Sequence, residues 1–131
     1  NDANVARVLR LAADAIDADY ELRLAIEAAG EHVAGAEAGA AALLAIAQIE
    51  GGHERRLAIE EVASEIDGAS PHWIPLIEAA ASVDGDYERR LALEAVKGDA
   101  PETDEIRAAL RKAAETIGSE HERRLALEAI E

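Results

Sequence analysis

HERRLAIEEV (residues 53–62) returns almost unchanged as HERRLALEAI (residues 121–130), and DYELRLAIEA (19–28) and DYERRLALEA (86–95) match both. Aligned on these stretches, one slot holds Tyr20, His53, Tyr87 and His121, at successive spacings of 33, 34 and 34 residues. The shared pattern is an aromatic residue or His, Glu, any residue, Arg, Leu, Ala, Ile or Leu, and Glu. A fixed period of this length marks stacked supersecondary units, because one unit alone cannot bury its apolar surface.

His followed by Glu on a helix is half of a zinc-protease signature. That chemistry needs a second imidazole four residues on, so that both face one metal. The position is Leu24, Leu57, Leu91 or Leu125, and the first His gives way to Tyr in alternate copies. The motif therefore marks the start of a repeated helix, and no metal or other cofactor is expected. His53 and His121 lie two units apart, too far to share an ion, and His32 and His72 fall in or near linkers.

The segment before each motif is also helical. Val5, Leu9, Ala12, Ala13 and Ile16 follow helical spacing, and Ile106, Leu110, Ala113, Ala114 and Ile117 repeat it in the last copy. Each unit thus reads as a helix closed by Ile16, Ile49, Val83 or Ile117, a tight turn, and a second helix carrying the motif. Ser119 and Glu122 predict a capping box, with Glu122 reaching back to the cap. Ala18, Gly51 and Gly85 stand in the Ser119 slot and predict weaker caps. Longer breaks separate the units: GEHVAGAE, DGASPHW with Gly68 as a helix stop and Ser70 and Pro71 opening the next helix, and KGDAPETDE with Gly98, Pro101 and a cap at Thr103.

On the second helix Leu24 and Ala28 line one side, and Ile26, Ala29 and Val33 another; Leu91 with Ala95 and Leu93 with Val96 repeat this. Two apolar sides require two neighbours, one within the hairpin and one from the next. The fold predicted is all-α: a right-handed α-solenoid of four helical hairpins, eight helices, in one domain with units at 1–33, 34–67, 68–101 and 102–131. Leu91→Ala is expected to cost ~2–4 kcal/mol through the cavity it opens.

Composition fits. Half of the 131 residues are apolar, mostly Ala, Leu, Ile and Val, with no Phe, Met or Cys, one Trp and two Tyr. Such a core suits closely approaching helices built from strong helix formers. The 28 acidic residues against 13 basic give a net charge of −15, which repels nucleic acid and anionic membrane surfaces. No apolar run reaches the ~20 residues of a membrane span. A soluble protein is expected, with no signal segment visible, and the chain opens at Asn1 without Met, leaving a longer parent open.

Helical hairpins of this length resemble tetratricopeptide and HEAT-like repeats. The Trp, Leu-Gly and Tyr pattern of the tetratricopeptide family is absent. DYERRLALEA (Asp86–Ala95) resembles the HEAT-like repeats of some bacterial proteins, which carry a Ser-Asp-Tyr-Glu turn followed by Arg and Leu/Ala positions. Only Asp19–Glu21 and Asp86–Glu88 keep Asp-Tyr-Glu; the His copies depart from it. The resemblance implies a protein-binding or scaffolding role.

Four features are candidates for function. Arg23, Arg56, Arg90 and Arg124 recur once per unit, each four residues before a Glu (Glu27, Glu60, Glu94, Glu128); they read first as structural ion pairs and second as an anion-binding ridge. Trp73, in the irregular stretch SPHWIPLIE, reads first as a core plug and second as an anchor for a partner. Pro75 in that stretch is expected to leave the first turn kinked or non-helical. The slot of Arg10, Leu43, Ile77 and Arg111 is charged in the outer units and apolar in the inner ones. That is either polar capping of the array ends or, with Leu44, an apolar patch for a protein, a peptide or self-association.

No nucleophile, base and acid converge in the sequence, so no enzyme is expected. The leading functional reading is a non-enzymatic repeat scaffold of engineered origin. The alternative is a natural protein- or peptide-binding module of a larger bacterial protein.

Overall fold

A computed structural model describes all 131 residues, Asn1–Glu131. It is all-helical, with no strand. The elements are α1 (Asp2–Ala15), α2 (Asp19–Ala29), α3 (Ala36–Gln48), α4 (Gly52–Glu65), α5 (Trp73–Ala81), α6 (Asp86–Asp99), α7 (Asp104–Glu115) and α8 (Glu120–Ile130). A 3-10 segment, Gly30–Ala34, joins the first hairpin to the second. Each odd-numbered helix pairs with the even one that follows. The even helices pack in sequence, α2 on α4, α4 on α6 and α6 on α8, while α1 packs on α3, α3 on α5 and α5 on α7. Two helical layers result, with one continuous core between them.

That core is built from the repeat positions. Ile26, Ile59 and Leu93 are buried at one motif slot, and Ala58, Ala92 and Ala126 at another. The small alanines let the even helices approach closely, and the branched chains interdigitate across the joint. Ile49, Val83 and Ile117 sit just past the ends of their helices and plug the turns. Leu91 departs from expectation: it is only half-buried, and Leu24 is exposed, so the fully enclosed side of the second helix is that of Ile26 and Leu93.

Other sequence expectations shift locally. Gly98 does not break the chain; α6 runs through it to Asp99. Trp73, and not Pro71, opens α5, after a turn in which Ser70 Oγ accepts the His72 N–H at 3.1 Å. Pro75 is then the third helical residue, where an N–H has no intrahelical acceptor anyway, so α5 starts undistorted. Thr103 caps α7 through the Ile106 N–H at 3.1 Å, as expected.

Gly52 opens α4 where Asp19 and Asp86 open their helices. The carbonyl oxygen of Asp84, in the turn of the next unit, occupies the space that a Cβ at position 52 would take. That turn is itself unusual, with Gly85 at φ 91°. Gly→Ala in a helix ordinarily stabilises by up to ~1 kcal/mol. Here Gly52→Ala pushes backbone against backbone, and we expect it to destabilise by ~1–3 kcal/mol in urea titrations.

Candidate functional site

The motif opens the second helix of each unit, as Asp-Tyr-Glu-x-Arg in the first and third and with His in the Tyr slot in the others, so its side chains project from the first turn toward the neighbouring unit. Each of its polar positions has a separate task. Arg23 reaches Glu27 one turn on and Glu54 of the next unit. Arg56 does the same with Glu60 and Glu88, and Arg90 with Glu94, at 2.8 Å, and Glu122. Each arginine thus ties its own helix to the motif Glu of the following one. The three guanidinium side chains are only 13–16% exposed, which places these pairs in a partly desolvated seam where they resist salt screening.

The aromatic-or-His slot lies over this seam. Tyr20 covers the Arg23 guanidinium with its centroid at 5.1 Å, and Tyr87 covers Arg90 at 5.4 Å. In the other two copies the imidazole Nδ1 of His53 or His121 stands 3.3 Å from Nη2 of Arg56 or Arg124. His53 also approaches Glu88, at 3.5 Å. Both residue types therefore contact the arginine three residues on, the tyrosines with the ring face and the histidines through Nδ1. No group of three or more His, Asp or Glu side chains converges as a metal site.

The Asp of the motif acts on the next unit. Asp19 accepts the N–H groups of Glu50 (3.1 Å) and Gly51 (2.8 Å), and Asp86 those of Gly118 (3.2 Å) and Ser119 (2.9 Å). Asp2 similarly accepts from Glu37 (3.1 Å) and Ala38 (2.7 Å) in the first turn of α3. These carboxylates satisfy orphan donors at helix starts and complement the positive ends of the dipoles. Asp19 thus anchors the backbone leading into α4, while Gly51 gives that helix no side-chain cap. The expected capping box at Ser119 is half made. Ser119 Oγ accepts the Glu122 N–H at 3.2 Å, but the Ser119 N–H goes to Asp86 and the Glu122 carboxylate to Arg90.

A second arginine column went unread in the sequence. Arg55, Arg89 and Arg123 share the slot that holds buried Leu22 in the first unit. Arg89 donates to the Val83 carbonyl at 3.0 Å and to the Thr116 carbonyl at 3.2 Å. Arg123 donates to the Ile117 carbonyl at 3.0 Å, and Arg55 to Ser82 Oγ at 2.8 Å. They staple turns, and their acceptors are mostly backbone carbonyls. Doubling of Arg was the visible signal, but nothing in the pattern gives a carbonyl partner.

The candidate apolar patch is reduced. Trp73 is 2% exposed, with Nε1–H donating to the Asp67 carbonyl at 2.8 Å, and Ile77 is 1% exposed. Neither offers a surface to a partner: Trp73 is a core plug, and Ile77 floors a shallow groove between α5 and α7. Leu43 is half-buried and Leu44 is 56% exposed. Leu44 aligns with Leu11 of the first unit, and Leu11 and Val8, one turn apart on α1, are each 61% exposed. Val8 and Leu11 fall outside the Val5, Leu9, Ala12, Ala13 and Ile16 stripe, and the sequence reading passed over them. The row is apolar only in the first two units, since Glu78 and Lys112 take the Leu44 slot later. Arg10 and Arg111 are exposed.

Arg124 is exposed and pairs with neither Glu128 nor any other carboxylate. No helix is long and apolar enough to cross a membrane.

Three carboxylates report on these contacts through acid titration. Burial works against the charged Glu88, yet the bonds from Arg56, with His53 nearby, hold its carboxyl below the ordinary 4.5. The Ala38 and Glu37 N–H groups hold Asp2 below 3.8. Burial, reinforced by Glu65 and Glu27, pushes Glu61 above 4.5. A raised carboxyl binds its proton more tightly when folded, so Glu61 destabilises at neutral pH and the strain is relieved on acidification. A lowered carboxyl binds it less tightly when folded, so the help from Glu88 and Asp2 is lost as pH falls below about 4.5 and 3.8. The urea midpoint should rise as acidification from pH 7 begins to protonate Glu61 and then fall as Glu88 and Asp2 protonate, and Glu61→Gln should shrink the first limb and leave the acid loss intact.

Compared with protein-family models, with curated proteins and with solved structures, the chain finds no match in any of the three.

Proposed function

We propose that this chain is a non-enzymatic helical-repeat scaffold that carries a protein- or peptide-binding row on its odd-helix layer. One observation carries the reading: Leu11 and Leu44, two large apolar side chains each more than half exposed, stand in the same slot of α1 and α3 in a chain with net charge −15. Isolated exposed leucines are ordinary, but neighbouring ones on two packed helices form a ridge that a partner can cover. The ladder and the trans-acting caps support a scaffold, because they use the conspicuous polar side chains to join units. The composition, without Phe, Met or Cys, favours an engineered scaffold over a module of a larger natural protein.

The acidic field around the row favours an amphipathic partner segment that bears basic residues. A fluorescently labelled Leu/Lys amphipathic helix should bind, seen as a rise in anisotropy. Its Leu/Glu counterpart should not, and Leu11→Glu with Leu44→Glu should abolish the binding. Equal binding of both peptides, or binding that survives the double substitution, would rule out this surface.

A further inference from the structure

The ladder has two open ends, and they complement each other. Inside the chain the same joint is made three times: Arg23 to Glu54, Arg56 to Glu88 and Arg90 to Glu122. Continuing the series, Arg124 calls for a motif Glu from a following unit. At the other end Glu21 occupies the motif Glu slot and has no arginine before it. Both are exposed and make no ion pair, while their counterparts are partly buried.

The apolar halves of the joint are open in the same way. Leu127 is half-buried where Ile26, Ile59 and Leu93 are fully enclosed. On the opposite face Ala25 is half-buried where Ala58, Ala92 and Ala126 are fully enclosed, and Val5 is half-buried where Ala38, His72 and Ile106 are covered. Val5 and Ala25 line an open apolar groove of about 300 Å³ between α1 and α2. The far end of the molecule thus presents an arginine beside an uncovered leucine. The near end presents a glutamate beside an apolar groove.

We propose that the far end of one copy docks on the near end of a second copy, with Arg124 pairing with Glu21 and Leu127 covering the Ala25 groove. The contact extends the internal joint by one step. It joins two different faces of the chain, so it is heterologous and leaves an open face at each end of the assembly. One charge pair and a modest apolar contact make the association weak, and the net charge of −15 on each copy opposes it at low ionic strength. It lies at the ends of the array, where Val8 also lines the groove, and it is apart from Leu11 and Leu44 and does not depend on those two binding anything.

The test is sedimentation velocity on the intact chain at ~0.15 M salt, where long-range repulsion is screened, from ~10 μM to ~1 mM. Wild type should grow in mass with concentration. Arg124→Glu and Glu21→Arg, each placing like charges together, should each raise the concentration needed about tenfold or more. The double variant carrying both changes should recover association, and so should an equimolar mixture of the two single variants. Both sites are exposed, and unchanged melting of each variant shows that folding is intact. Wild type that stays monomeric to ~1 mM would overturn the proposal. So would association that both single swaps leave untouched, or a double variant that fails to recover.

Discussion

Trp73→Ala is expected to lower stability by ~3–5 kcal/mol, the largest loss of any single truncation in this chain. The indole is the bulkiest fully buried side chain and the only Trp in the protein. It stands at the first residue of α5, in a slot filled elsewhere by Ala6, Gly39 and Arg107. No neighbouring copy offers a side chain that could swing in to fill the space, so the cavity persists. The indole N–H also ties α5 back to the Asp67 carbonyl beyond the end of α4, fixing a linker that has no helical hydrogen bonds of its own. Trp73→Phe separates the two contributions: it keeps most of the volume and loses the bond, for an expected ~1–2 kcal/mol. Urea titration of both variants checks the order. Equal small losses would mean that the indole is not enclosed.

Leu93→Ala is expected to cost ~2–5 kcal/mol, against less than half of that for Leu91→Ala two residues away. The pair separates the two apolar sides of the second helix. Leu93 is fully enclosed between α6 and its neighbours, whereas Leu91 is half-buried and its truncated space opens toward water. An equal cost would contradict the helical rotation that puts Leu93 inward.

The same pair shows what the sequence can and cannot convey. The period of the motif and the eight helices are legible, because apolar spacing is a local property of the chain; of the two sides expected to be buried on the second helix, that of Leu24 and Ala28 is exposed. Which of two apolar sides is better covered depends on how neighbouring units cross, and Leu91 was misjudged for that reason. The Arg23, Arg56 and Arg90 row was legible as ion pairs within a helix. Its cross-unit half was not, because Glu54, Glu88 and Glu122 lie a full repeat away and nothing local names them as partners. Asp19 and Asp86 were visible as part of a motif, but a carboxylate capping a helix in the next unit follows only from the stacking geometry. Gly98 shows the opposite error: a residue that usually breaks helices is carried inside α6 by the helix formers before it.

The unit-to-unit joint is the feature on which all else rests, and a double-mutant cycle measures it directly. Arg56→Ala, Glu88→Ala and the double variant, compared by urea titration, should give a coupling of ~1 kcal/mol between residues 32 positions apart. Arg23 with Glu54 and Arg90 with Glu122 should give similar values, while Arg124 with Glu122, two residues apart and facing different ways, should give about zero. Couplings near zero at all three cross-unit pairs would contradict a stack of equivalent units joined by one repeated contact.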